Sequence, residues 1–282
     1  MCQQRWRVNS IIMDEKAVLG EGDFVQDRYC YKGERVMFSF DSKVRYSEVG
    51  KDGYMTMEAL MRYFQDCATF HSEETGYGVE YLMENKRAWV LLSWQIEVER
   101  YPRFGENITL STKVYDFKRS FGYRNLMLQD ESGAYIACAN SVWLYLNLEK
   151  MAPERVEQEQ VDANIFEEKF PMNYKKMQIA IPKEEGEVKE THQVGPYQID
   201  TNGHMNNVEY LRMAMQAIGE QVPICSMRAE YKKSAMNGDQ ITPVVYREDT
   251  RYIVALNQDN GKPFAVIEID SSPCSIQAEA DA

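Results

Sequence analysis

One loop pattern occurs twice in this chain of 282 residues. Val49-Gly50-Lys51-Asp52-Gly53-Tyr54-Met55 aligns with Ile199-Asp200-Thr201-Asn202-Gly203-His204-Met205, at an offset of 150. Further on, Glu97, Gly105, Ile108 and Thr109 match Glu230, Gly238, Ile241 and Thr242, at an offset of 133. The turn Gln129-Asp130…Gly133 is echoed by Gln258-Asp259-Asn260-Gly261. Any one match is within chance, but three in the same order point to an internal duplication. Each copy reads strand, loop, long helix, then an antiparallel run of strands. The expected fold is therefore α+β: a sheet wrapped around one central helix, built twice.

The periodicity places the elements. Phe38, Phe40, Val44 and Tyr46 predict a strand, and a helix follows from about Met57, with Leu60, Tyr63, Phe64, Cys67 and Phe70 on its apolar face. A short helix is predicted over 79–85 and a long strand over 88–99, broken by Pro102 and Gly105. Strands over 108–117, 123–129 and 135–146 follow, the last two joined by the hairpin turn Asp130-Glu131-Ser132-Gly133. Pro153, Pro171 and Pro182, with blocks of Glu and Lys, mark a surface linker holding a short helix near Ile165. The expected division is an N-terminal extension over 1–36, a first unit over 37–150, a linker over 151–190 and a second unit over 191–282.

The second loop concentrates chemistry. Asp200, Asn202, His204, Asn206 and Asn207 lie within eight residues and run into an amphipathic helix carrying Val208, Leu211, Met215 and Ile218. Asn206 or Asn207 is the expected N-cap. The cluster then sits at a helix N-terminus, where free N–H groups and the dipole favour developing negative charge. An Asx-rich turn would look much the same. What favours function is that the chain has only three histidines, one of them here, and that the first copy has Gly50 and Tyr54 in place of Asp200 and His204.

Composition narrows the partners. A net charge of −12 argues against nucleic acid and against an anionic membrane surface. No apolar run approaches the roughly 20 residues of a membrane span, and Met-Cys-Gln-Gln-Arg-Trp-Arg does not begin a signal peptide. The six cysteines, Cys2, Cys30, Cys67, Cys138, Cys225 and Cys274, are scattered and form no metal spacing. They read as reduced thiols of a cytoplasmic protein, with no metal and no organic cofactor expected.

The sequence resembles the acyl-acyl-carrier-protein thioesterases, a double hot-dog family, over residues 37–275. The resemblance rests on Arg87-Ala88-Trp89-Val90-Leu91-Leu92-Ser93-Trp94-Gln95-Ile96-Glu97, on Tyr115-Asp116-Phe117-Lys118-Arg119 with Gly122-Tyr123-Arg124-Asn125, and on Ala139-Asn140-Ser141-Val142-Trp143. In the second half it rests on Asp200-x-Asn202-x-His204-x-Asn206-Asn207-x-x-Tyr210 and on Glu230-Tyr231-Lys232-Lys233. It implies hydrolysis of a fatty acyl thioester on carrier protein, by catalytic Asp, Asn and His residues that carry over to Asp200, Asn202 and His204. It also implies that the first unit shapes the acyl pocket. The chain departs from the plant members, which have a Glu-Cys pair where Ser234 and Ala235 stand here. That removes a cysteine nucleophile and leaves water or Asp200 as the attacker, with Ser234 able to hold a water through its hydroxyl. An acyl-CoA thioesterase of the same fold and a non-catalytic acyl-ligand sensor remain as alternatives.

Carrier protein is acidic, so a local basic patch is expected to meet it. The candidates are Lys118, Arg119 and Arg124 in the first unit, and Arg228, Lys232 and Lys233 in the second. His71 is expected to be a surface or helix-end residue rather than a catalyst. Trp89, Trp94 and Trp143 are candidates for an acyl tunnel. The expected assembly is a monomeric pseudo-dimer or a homodimer.

Overall fold

The computed structural model describes residues 37–164, 168–219 and 222–272. The expected N-terminal extension, Cys2, Cys30 and Cys274 lie outside these residues. The first unit runs β1 (Phe38–Lys43), α1 (Met57–Glu74), α2 (Val79–Glu84), β2 (Arg87–Val98), β3 (Asn107–Lys118), β4 (Phe121–Asp130) and β5 (Tyr135–Asn147). The connecting stretch holds β6 (Ala152–Pro153) and α3 (Gln158–Ala163). The second unit holds β7 (Glu187–Val188), β8 (His192–Gln193), α4 (Asn207–Ile218), β9 (Ser226–Tyr231), β10 (Gln240–Glu248), β11 (Arg251–Asn257) and β12 (Pro263–Asp270).

One continuous sheet carries both units, in the order β1-β3-β4-β5-β2-β9-β12-β11-β10-β7. Every pairing is antiparallel. The seam is β2 against β9, in register from Ser93 opposite Glu230 to Glu97 opposite Ser226. Outward from the seam the order is β2-β5-β4-β3-β1 on one side and β9-β12-β11-β10-β7 on the other. The two halves are copies joined edge to edge, so neither β2 nor β9 is left as an open edge. This is the tandem hot-dog architecture, with α1 and α4 enclosed by the shared sheet.

Backbone hydrogen bonds repeat at the offsets read from the sequence. Gly50 N donates to Tyr54 O and Asp200 N to His204 O, both at 2.8 Å. Met55 N donates to Pro102 O at 2.9 Å, and Met205 N to Ala235 O at 2.8 Å. Gly105 N donates to Val44 O and Gly238 N to Val194 O, both at 2.9 Å. The hairpin echo needs a shift of one residue. Gly133 N donates to Asp130 O and Gly261 N to Gln258 O, so Asp130 matches Gln258, not Asp259. The turn is fixed by the glycines, which take left-handed φ of +83° and +77°, rather than by the acidic residue.

The helices form for the reasons their sequences give. Thr56 caps α1, its side chain accepting from Ala59 N at 3.2 Å, and Asn206 caps α4, accepting from Val208 N at 3.0 Å. The apolar faces meet in one core shared by both units, with Leu60 and Phe64 of α1, Leu211 and Ala214 of α4, and Trp94 and Ile267 from the sheet all buried. Burying a side chain such as Phe64 is worth roughly 1.5–3 kcal/mol. Gly219 stops α4 with φ of +77° after 12 residues, whereas α1 runs for 18 and is followed by α2. The first unit is therefore the longer-roofed of the two.

The connecting stretch is not a loose surface linker. It crosses the outer face of the sheet and satisfies polar residues buried there. Asn125 Oδ1 accepts from Phe170 N at 3.1 Å and from the Tyr174 hydroxyl at 2.9 Å. Gln95 holds Asn173 O and Lys175 N, and Glu230 Oε2 accepts from Ile179 N at 2.9 Å. Phe170 and Ile179 are buried against the strands. The helix expected near Ile165 lies just ahead of it, as α3. Among the described residues no helix is long and apolar enough to cross a membrane.

Candidate active site

The loop between Ile199 and Met205 is a closed turn, its ends paired as an isolated antiparallel bridge. Gly203, at φ of +78°, makes the bend that an L side chain would strain. Asp200 holds the inside of the turn. Its Oδ1 accepts from Asn202 N at 2.8 Å and from His204 N at 3.3 Å. One carboxylate oxygen is thus spent on loop geometry. Asp200 and His204 are half-buried, and Asn202 is exposed.

The chain after β9 is brought alongside. Ala235 O accepts from Met205 N, and Ala235 N donates to the buried Tyr210 hydroxyl at 2.8 Å. The Tyr231 hydroxyl donates to Asn207 O at 3.2 Å. These bonds fasten the 232–235 segment to α4 and the loop together. Burial pushes the Tyr210 hydroxyl up to about 12 and raises Tyr231 as well, so both stay protonated. The first N–H of α4, that of Asn207, has no partner among the described residues, because the Asn206 cap takes Val208 N and Asn206 O takes Glu209 N.

A cavity of about 550 Å³ opens at this point. Asp200, Asn202, His204, Asn207 and Ser234 line it at the second unit. From there it runs into the first unit, between the C-terminal half of α1 and the inner face of the sheet. Trp89, Leu91, Trp143 and Leu146 supply apolar wall there, and α2 adds Val79, Leu82 and Met83. Trp94 is not part of it, since that ring packs on Phe64 in the core at 6.3 Å between centroids. The structure thus gathers Asp200, Asn202, His204 and Ser234 at one end of one cavity.

The six candidate docking cations separate. Lys232 and Lys233 are exposed and line the cavity beside Ser234. Lys232 also pairs with Glu230, and Lys233 reaches Gln258 at 2.9 Å. Lys118 and Arg119 are exposed at the β3–β4 turn. Two assignments are corrected. Arg228 pairs with Glu268 at 2.9 Å and donates to Lys176 O and Gln178 O, so it staples the connecting stretch to the sheet. Arg124 is buried on the inner face of β4 and offers no surface charge.

His71 is at a helix end, as expected, but not at the surface. It lies in the last turn of α1 but faces inward, its Nδ1 at 2.9 Å from Arg124 Nη1. Burial, with the neighbouring guanidinium, lowers its pKa to about 3. No sequence pattern links residues 53 positions apart.

The thiols sit elsewhere. Cys67 is buried in α1 and pushed up to about 12 by burial, and Cys138 and Cys225 do not line the cavity. Among the described residues no three His, Cys, Asp or Glu side chains converge as metal ligands.

Two family models match the chain in order: the acyl-ACP thioesterase N-terminal domain over 35–164 and its C-terminal domain over 182–272. The chain belongs to the acyl-ACP thioesterase family. An acyl-[acyl-carrier-protein] hydrolase of Cuphea viscosissima chloroplasts is 25% identical over 265 residues, covering 86% of this chain and 62% of the relative. A palmitoyl-acyl carrier protein thioesterase of Cuphea hookeriana chloroplasts is 24% identical, covering 76% and 54%. The chain thus spans between half and two thirds of the length of these plant relatives. Two solved acyl-ACP thioesterases share the fold. The one from Bacteroides thetaiotaomicron has a TM-score of 0.75 at 22% identity, covering 83% of this chain and 97% of that one. The 12:0-ACP thioesterase of Umbellularia californica has a TM-score of 0.74 at 17% identity, covering 86% and 100%. The boundary between the two family models falls in the connecting stretch, on either side of which the tandem units of this acyl-ACP thioesterase fold are built.

Proposed function

We propose that the chain hydrolyses the thioester of a fatty acyl group on acyl carrier protein, giving free fatty acid and carrier protein. The observation that carries this reading is the single cavity that joins the 199–205 loop to a long apolar slot under α1. The cleavage needs a proton-mover, a positioned water and a stabilised oxyanion. His204 takes the proton from the attacking water and returns it to the leaving thiol sulfur. Asp200 has one oxygen free of the turn to orient that water; by direct attack on the carbonyl carbon it would instead form a mixed anhydride, the thiol leaving with a proton from His204, and water would then hydrolyse the anhydride to free acid and restore Asp200. Asn202 holds the water or the thioester carbonyl, and Ser234 supplies a hydroxyl to the same water. The open N–H of Asn207, at the positive end of α4, is the donor we assign to the oxyanion. As the oxygen–carbon bond forms, the carbon–sulfur bond breaks and the thiol leaves with the proton.

On the same reading the unit over 37–150 holds the acyl chain, the unit over 191–282 performs the chemistry, and 151–190 joins them. Lys118, Arg119, Lys232 and Lys233 form the docking surface for an acidic carrier protein, and the enzyme works in the cytoplasm without a cofactor. The plant relatives carry chloroplast names. A non-catalytic acyl sensor is the second reading, favoured by Ser234 where plant members carry a carboxylate. The test offers a series of acyl groups on carrier protein and on CoA and identifies the acid released. Turnover of the carrier-protein series above the CoA series is expected. Binding without release would select the sensor.

A further inference from the structure

A charge sits in the cavity wall with nothing to offset it. Arg124 is 9% exposed, lies on the inner face of β4 and lines the cavity. Its Nη1 donates to His71 Nδ1 at 2.9 Å and to Thr112 Oγ1 at 3.2 Å. A guanidinium carries five N–H donors. The Nε–H and both Nη2 hydrogens have no partner among the described residues. Among the described residues no carboxylate bears on it either, and the nearby Cys67 thiol, pushed up to about 12 by burial, is neutral. His71 cannot serve as counter-charge. A guanidinium only donates, so His71 Nδ1 must accept, and the ring is neutral with its proton on Nε2.

Position gives this charge a consequence. Arg124 is on β4, three strands from β9 in the order β9-β2-β5-β4. At about 4.8 Å per strand that is roughly 14 Å across the sheet from the catalytic side. Beside it Phe117 and Trp89 pack over Gly122 in the cavity wall. A Cβ on Gly122 would come within 3.1 Å of the Phe117 ring and 3.2 Å of the Trp89 ring. Hydrocarbon has no acceptor to give, so covering three open donors with methylenes strips them of water for nothing in return.

We infer that Arg124, held in place by His71 and Thr112, is the polar end of the alkyl slot and sets the longest acyl chain the cavity accepts. This rests on reading the cavity as an acyl site. Arg124 touches the chain terminus, and His71 is a positioning residue behind it.

The test measures binding, apart from turnover. Straight-chain saturated fatty acids of rising length displace a fluorescent fatty acid from the full chain, in wild type and in Arg124→Met. Wild-type affinity should climb with length to a limit and then fall. In Arg124→Met the limit should move by two carbons or more, with the first excluded acid gaining about tenfold, the worth of one to two methylenes. Arg124→Gln keeps a donor for His71 and should move the limit the same way if the methionine variant does not fold. An identical limit in wild type and variants overturns the inference, as does displacement by no acid at all. Tighter binding of a dicarboxylic acid than of the monocarboxylic acid of equal length also overturns it, because Arg124 is then a recognition group. Failure of the hydrolase reading shows separately, as absence of free acid from acyl carrier protein while the binding limit still shifts.

Discussion

Loops 49–55 and 199–205 have the same backbone and different equipment. Both close with an isolated bridge, both bend at a left-handed glycine, and both lead into a capped helix. In the first, Asp52 Oδ1 accepts from Tyr54 N at 3.1 Å, and the Tyr54 hydroxyl is locked by Arg103 at 2.7 Å and 3.0 Å. None of its residues lines the cavity that Asp200, Asn202 and His204 line. The turn therefore needs a glycine and an Asx acceptor, and nothing more. A half-buried imidazole facing an apolar slot is surplus to folding, which is why the difference between the copies reads as chemistry.

The asymmetry extends to the roofs. The first unit has the longer helix and α2, and it contributes most of the cavity wall, while the second has the short α4 and contributes the end lined by Asp200, Asn202 and His204.

Asp200→Asn tests most sharply what the second loop adds. Asparagine keeps an Oδ1 acceptor for Asn202 N and His204 N, so the turn should survive and thermal midpoints should change little. Turnover should fall by about a hundredfold or more, the range lost with an acid–base group. An unchanged rate would return Asp200 to a purely structural role equal to that of Asp52.

Tyr210→Phe probes the tie between the 232–235 segment and α4. It leaves the buried Ala235 N–H without an acceptor, at a cost of about 1–3 kcal/mol in denaturant unfolding. The first copy has no such hydroxyl tie, its equivalent of Tyr210 being Leu60, so Leu60→Met should cost less.

The His71–Arg124 pair gives a pH signature confined to the first unit. His71 titrates near 3 when folded, below its ordinary 6.5. The unfolded chain takes the proton first, so the contribution is complete above about pH 6.5 and is lost as pH falls toward 3. The slope from this one proton is about 1.4 kcal/mol per pH unit at most. Stability curves of wild type and His71→Gln should converge as pH falls through that window, and parallel curves would remove His71 as the source.

The smallest effect concerns docking. Lys118→Gln, Arg119→Gln and Lys233→Gln together should lower kcat/KM several-fold on acyl carrier protein, mostly at low salt, and leave acyl-CoA unaffected. Lys232 is better left intact, because it pairs with Glu230, which anchors Ile179.

Much of this was legible in the sequence. Period-2 and helical patterns located the main strands of the first unit and both long helices, and turn chemistry located the two loops and narrowed the cap to Asn206 or Asn207, of which the structure selects Asn206. Gly133 and Gly261 corrected the hairpin alignment, because φ and not the acidic residue fixes a turn. Less visible were contacts between distant residues. Gln95, Asn125 and Glu230 look like solvent-facing strand positions until the connecting stretch is seen to cover them. Arg124 looks like a surface cation for the same reason, since a one-dimensional pattern does not say which face of β4 lies under α1.

On the proposed reading only the second loop is armed. Its most direct test is release of free acid from acyl carrier protein by wild type, His204→Ala and Tyr54→Ala. A loss of about a hundredfold or more in His204→Ala, with Tyr54→Ala near wild type, is the predicted result. Equal rates in wild type and His204→Ala would contradict it.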